Sequence, residues 1–308
     1  MHHYEAYGLT IESVFQLPEL ATPAQDVTAP DVVIREGDLT PVKPAGDQPG
    51  RERRIDAGPS SCRISYADLG TFRIEDGERV LVDVDAGTVP ETVAFRRVLE
   101  GQILGVLLHL RGTLLLHASA VATDDGAVVF LGDVGAGKST TATAFEAAGH
   151  RLLDDDIVPI RFREETPVVA PGIPQLKLSP EVADTLDVDV AGEPRDDGKL
   201  YVRVDSATGR DWVPLRCCFV LTKGPELSVR PVPPRDRFVV LVDNTYTASL
   251  LDETEAMPEH FRRCARLIET TPLRELRRPQ RLTALPDLVE TVVEDVRADG
   301  EGPRRANT

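Results

Sequence analysis

The chain has 308 residues, 41% of them hydrophobic and 28% charged, with a formal net charge of −16. That balance belongs to a globular protein with ample core. So acidic a chain offers no basic face, which excludes nucleic acid as the expected partner. No apolar run approaches the roughly 18 residues of a membrane span, and residues 1–20 lack a basic stretch followed by an apolar core. Neither a membrane nor a secretory signal is therefore expected.

Cys62, Cys217, Cys218 and Cys264 form no C-x-x-C pair. They read as buried reduced thiols, which fits a cytoplasmic location. Five lysines stand against 30 arginines, and acidic residues outnumber both together. An acidic, lysine-poor surface suits a halophilic source, although a GC-rich genome alone also favours arginine.

Residues 1–90 read as a β-rich accessory domain. YGLTIES, DVVIREG, SCRISYA, FRIEDGE and RVLVDVD alternate in part and are bounded by Gly, Pro, Asp and Asn. Thr40–Arg54, rich in Pro, Gly and charge, is expected to be an exposed loop. Over 91–111 the apolar period becomes helical: Phe95, Val98, Leu99, Ile103, Leu104, Leu107 and Leu108 share one stripe, predicting a connecting helix.

TLLLHASAVA and AVVFLG, joined by TDDG, predict adjacent strands. A helix follows, then HRLLDDDIVPIRF as a strand interrupted by aspartates. A Pro-rich stretch over 166–178 precedes a short helix at 179–186 and a charged loop over 194–212. Strands are expected at 215–221 and 227–232 and at LRELRR, and helices at 236–251, 258–269 and 285–297. The tail over 298–308 is expected to be disordered.

Residues 127–140, AVVFLGDVGAGKST, carry the chemistry. Ala127–Leu131 reads as a buried strand; Gly132, four residues, then Gly137, Lys138 and Ser139 spell G-x-x-x-x-G-K-[ST]. Glycines let consecutive N–H groups turn inward to cradle phosphate oxygens. Ser139–Ala148 is expected to be helical, and its N-terminus adds the favourable end of the helix dipole. Gly132, Asp133, Val134, Gly135, Ala136, Gly137, Lys138, Ser139 and Thr140 are thus the expected ATP-binding residues. Lys138 would reach the β- and γ-phosphates and Ser139 would ligate Mg²⁺.

Asp154, Asp155 and Asp156 lie inside an otherwise apolar strand, which is costly unless they meet a cation or solvent. A phosphate-loop protein needs a second acidic residue on its Mg²⁺. Regular pleating would put Asp154 and Asp156 on one face and Asp155 on the other. One carboxylate could then hold the metal while its neighbour activates a hydroxyl. His117, in the apolar run LLLHASAV, reads from spacing alone as a core histidine.

LHASAV followed by GAVVFLGDVGAGKSTTATAFEAAGHRLLDDDIVPI resembles the catalytic domain of the HPr serine kinase/phosphorylase family over about residues 112–160. Further segments, among them PQLKLSPE, PLRCCFVL and NTYTASLLD, are similar to shorter HPr-kinase-like proteins. The resemblance implies an α/β fold. It would comprise a P-loop kinase domain of the HPr kinase/PEP carboxykinase-like type over 112–297 and a small β-rich N-terminal domain. It implies Lys138 and Ser139 on phosphate and Mg²⁺, Asp155 as general base, Asp156 as the metal-side carboxylate, and His117 beside the catalytic aspartate. The two aspartate roles are open to exchange, and Asp154 stands where the family usually has a small residue. The glycine-containing segment linked to phosphorolysis in the bifunctional enzymes has no match in GEPRDDGKLYVRVDSATGRDW.

The expectation is therefore an ATP- and Mg²⁺-dependent kinase without phosphorylase activity. Its acceptor would be a hydroxyl, serine foremost, of a peptide, protein or small molecule. Arg203, Arg210 and Arg216 are candidates to neutralise the transferring phosphoryl. A nucleotide-binding sensor and a plain NTPase are the rival classes. The resemblance leaves room for a homo-oligomer.

Overall fold

The computed structural model describes residues 1–43, 53–186, 188, 198–204 and 212–301. The fold is mixed α/β, with two seven-stranded sheets and a separate strand pair.

The first sheet comprises β1 (His2–Ala6), β2 (Leu9–Ser13), β3 (Val32–Glu36), β4 (Arg53–Ala57), β5 (Ser61–Tyr66), β6 (Gly70–Glu75) and β7 (Arg79–Val84). Their order is β1-β2-β3-β7-β6-β5-β4, antiparallel except where β3 runs parallel to both its neighbours. Alternation puts Val32, Ile34, Cys62, Ile64, Phe72, Ile74, Val80 and Val82 at buried positions, and this face receives the helical stretch that follows. That stretch is α1 (Val93–Arg97), a π-helical segment (Val98–Ile103) and α2 (Leu104–Leu110). Thr92 starts it, its hydroxyl accepting from the Phe95 N–H as an N-cap does. Phe95, Leu99, Ile103, Leu104 and Leu107 share one apolar cluster with the first sheet, and the cluster continues into Leu115 and Ile157 of the second.

The second part contains β8 (Leu114–Thr123), β9 (Gly126–Leu131), α3 (Lys138–Ala147), β10 (Arg151–Arg163), β11 (Thr166–Val169), β12 (Gln175–Leu178), α4 (Pro180–Thr185) and β13 (Leu200–Arg203). It continues with β14 (Val213–Lys223), β15 (Ser228–Pro231), α5 (Pro234–Asp243), α6 (Met257–Thr270), β16 (Leu273–Arg278) and α7 (Leu285–Glu301). Strand order in the second sheet is β11-β10-β8-β9-β14-β16-β15, and β11 also pairs with β14. That extra pairing closes β11, β10, β8, β9 and β14 into a ring. β12 and β13 pair only with each other.

β9 shows why its sequence is an unbroken apolar run. Val128 and Phe130 enter the cluster with α3 and α7, whereas Ala127, Val129 and Leu131 enter the cluster with α5 and α6. A strand covered on both faces has no polar side to alternate with.

All four cysteines are buried and free, and burial pushes the thiols of Cys62, Cys218 and Cys264 up to about 12. Thiols held protonated in this way are inert. No helix among the described residues is long and apolar enough to cross a membrane.

Several elements differ from the sequence expectation. The helix expected over 236–251 ends at Asp243, because the Asn244 side chain turns back to donate to the Val240 carbonyl. The Pro-rich 166–178 holds two short strands, β11 and β12. α7 continues to Glu301, into the stretch expected as a tail from 298, and 302–308 lie outside the described residues. So do 44–52 of the expected loop and most of the charged segment 194–212, Arg210 included.

Candidate active site

β9 delivers the chain to Gly132, and α3 starts at Lys138. Between them Gly132, Gly135 and Gly137 have φ of +141°, +81° and +95°, a region side chains rarely adopt. Gly137 has a second reason to be glycine. A Cβ there would sit 1.7 Å from Arg278 Nη2, which donates to the Ala136 carbonyl at 2.9 Å.

The start of the loop is latched by Asn244, whose Oδ1 accepts from the Gly132 N–H at 3.0 Å. The Asn244 carbonyl accepts from the His117 N–H at 2.7 Å. Lys138 Nζ folds over the loop onto the carbonyls of Gly132 at 2.6 Å and Asp133 at 3.3 Å. Burial lowers its pKa, against the pull of Asp155, Asp156 and Asp133.

The β8–β10 register slips between Leu152 and Asp154, then pairs Asp154, Asp155 and Asp156 in step with Ala120, Ser119 and Ala118. All three aspartates line one cavity. Asp154 accepts from the N–H groups of Ile157 at 2.8 Å and Ile173 at 3.0 Å. Asp155 accepts from the Ser119 hydroxyl at 2.6 Å and the Lys177 N–H at 3.0 Å. Asp156 takes the Lys177 ammonium at 2.6 Å and faces His117 Nδ1 at 3.2 Å.

Their electrostatics diverge accordingly. Burial pushes Asp154 up to about 7 despite its backbone donors. Burial also raises Asp155, against hydrogen bonds from Ser119, the Lys177 backbone and Ser139. Burial acts on Asp156 too, but His117 and Lys177 outweigh it and hold its carboxyl below the usual range.

Two cavities meet at this acidic pair. One, of about 250 Å³, is lined by His117, Ser119, Asp133, Val134, Gly135, Gly137, Lys138, Ser139 and Thr140 and closed by Asp155, Asp156 and Lys177. The other, of about 160 Å³, is lined by Tyr7, Glu100, Tyr201 and Tyr246 and by the same Asp155, Asp156 and Lys177. Of the residues expected in the phosphate loop, Gly132 and Ala136 stand off the cavity. They are tied to Asn244 and Arg278.

Sequence reasoning missed Lys177, Lys199, Asn244, Arg278, Tyr7 and Tyr246. Lysine rarity was a usable signal: three of the chain's five lysines, 138, 177 and 199, line the loop cavity. Tyr7 had none, since it comes from the N-terminal sheet, whose sequence has no catalytic spacing. Arg203 and Arg216, proposed for charge neutralisation, line neither cavity; they bond the carbonyls of Pro18 and Asp125.

A magnesium ion carried by a nucleotide would ask little of the protein. Among the described residues no three of His, Cys, Asp and Glu converge as a cage. Mg²⁺ does not ask for one, since it binds through one or two carboxylates plus substrate phosphates and waters. The Ser139 hydroxyl and the buried Asp155 carboxyl, both in the lining of the loop cavity, would be such a protein half-site.

No protein-family model matches the chain, and no curated protein matches it. Among solved structures it is similar to the Hpr(Ser) kinase/phosphatase from Coxiella burnetii. The identity is 14%, the match covers 61% of this chain and 99% of that one, and the TM-score is 0.33. The likeness is distant, and roles at this site rest on the residues themselves.

Proposed function

We propose that the chain is an ATP- and Mg²⁺-dependent kinase, without phosphorylase activity, that phosphorylates a hydroxyl of a peptide, protein or small molecule. The observation that carries this is the shared wall. Asp155, Asp156 and Lys177 separate the loop cavity from a second chamber, so carboxylates stand between a place for a phosphate donor and a place for an acceptor. The sequence resemblance over 112–160 points the same way.

The geometry favours exchanging the aspartate roles first assigned. Asp155 lines the loop cavity together with Ser139, so it belongs on the cation side; its raised pKa is what a buried carboxyl shows until a cation sits against it. Asp156, ionised by Lys177 and oriented by His117, is the base. As the acceptor oxygen bonds the γ-phosphorus and the bond to the bridging β-γ oxygen breaks, the hydroxyl proton passes to Asp156 and ADP departs. Lys138 and the loop N–H groups hold the β- and γ-phosphates, and Lys177 balances charge from the acceptor side. Bound Mg²⁺ would neutralise the phosphate oxygens.

The test is transfer from γ-labelled ATP to cell-extract acceptors and free serine, for wild type, Lys138→Ala, Asp155→Asn and Asp156→Asn. Label on a hydroxyl, lost in all three variants, is the expected result. Nucleotide binding without transfer, or phosphate release independent of any acceptor, would replace the kinase by a sensor or an NTPase.

A further inference from the structure

A further recess lies outside the site described above. It measures about 570 Å³ and is lined by Arg111, Arg161, Arg262, Arg263 and Arg266, with Glu259 the one carboxylate in its lining. Five guanidiniums gather there in a chain whose net charge is −16.

Their partners do not balance them. Arg262 and Arg263 share Glu259, the latter at 3.0 Å. Arg266 lies 4.3 Å over the Phe162 ring and reaches Glu165 at 3.2 Å. Arg111 spends its donors on the carbonyls of Gly77 and Asp31. Arg161 donates to the Thr113 hydroxyl at 3.2 Å and stacks 5.1 Å over Trp212. Neither Arg111 nor Arg161 makes an ion pair among the described residues; the nearby Asp31 carboxylate accepts from the N–H and hydroxyl of Thr10. Burial first, then repulsion from Arg111 and Arg263, lowers the pKa of Arg161 against the pull of the Asp31 carboxylate. Partly buried like charges cost free energy that an incoming anion returns.

We propose that this recess binds a small molecule bearing two or more phosphate groups. The guanidinium fork matches phosphate oxygens in a bidentate manner, and the volume falls in the range of small-molecule sites, roughly 300–1,000 Å³. A compact recess favours charge concentrated on few atoms. A phosphate group offers it, whereas an extended acidic peptide spreads one charge per residue over roughly 3.5 Å. The site is separate from the loop cavity. The two share no lining residue, and Arg161 lies five residues beyond Asp156 along β10, roughly 16 Å at strand rise.

The experiment is calorimetric titration of the full chain with pyrophosphate and tripolyphosphate, at low and at high sodium chloride. It is run on wild type, on Lys138→Ala, and on Lys138→Ala carrying Arg111→Gln and Arg161→Gln or the more exposed pair Arg262→Gln and Arg266→Gln. One site should survive Lys138→Ala, weaken with salt, and fall about ten- to a hundredfold in both arginine pairs. The more exposed pair guards against misfolding of the half-buried one. Loss of all binding in Lys138→Ala, binding indifferent to both pairs, or tighter binding of poly-glutamate than of tripolyphosphate overturns the proposal.

Discussion

Alanine at three glycines separates backbone strain from a clash at the heart of the loop. Gly149, Gly135 and Gly137 all have φ between +81° and +95°. A Cβ meets nothing within 4 Å at Gly149 or Gly135, but at Gly137 it falls 1.7 Å from Arg278 Nη2. Strain alone costs about 1–2 kcal/mol. At Gly137 the guanidinium must also leave the Ala136 carbonyl, and a buried charged donor left unsatisfied adds about 1–3 kcal/mol. Gly149→Ala and Gly135→Ala should therefore lower the melting temperature by about 2–4 °C, and Gly137→Ala by about 4–10 °C, at about 2 °C per kcal/mol for a chain of this length. A fluorescent nucleotide supplies the second readout: it should bind Gly149→Ala as wild type and Gly137→Ala weakly or not at all. Equal melting temperatures for Gly135→Ala and Gly137→Ala would refute the clash. Unimpaired nucleotide binding by Gly137→Ala would refute the claim that Arg278 shapes the loop for a ligand.

Asn244→Ala should weaken nucleotide binding while costing only about 1 kcal/mol of stability by denaturant titration, because it frees the Gly132 N–H without opening a core. Lys177→Met should move the acid limb of the pH–rate profile upward, because the ammonium is part of what holds Asp156 ionised; an unmoved limb would show that Asp156 is not the titrating base. Asp154 titrates near 7 when folded against 3.8 as the ordinary value. The folded state thus holds the extra proton, and stability should fall as pH rises through that window; Asp154→Asn should flatten the fall in urea melts at stepped pH. Phe130→Ala, at a fully buried contact with Phe145 and Phe219, should cost about 3–5 kcal/mol in the same melts.

What could be read from the sequence followed the reach of each signal. Apolar period found the helical stretch before residue 111 and α6, because burial on one face is a local matter. The strand, glycine loop and helix over 126–147 were legible because their signals lie within a short stretch of chain. The irregularity just before Asp154 could not be read, because a bulge has no sequence period. Asn244 and Arg278 could not be found that way: each acts on the loop across more than a hundred residues, through contacts that exist only once β9, α5 and β16 are packed. Tyr7 lay further out of reach, since a turn of the first sheet had to be brought against Asp154.

The ring in the second sheet has a consequence for how copies of this protein can meet. With Val168 and Val169 of β11 paired to Pro214 and Val213 of β14, one end of the strand order is turned back onto the sheet. The other end is β15, four residues that finish in Pro231, and proline has no amide to offer. A neighbour's strand finds little there to extend. Self-association through this sheet must then be built from side chains on its helices and loops, where sequence can tune it, and not from the backbone of its end strands, which every chain has in common.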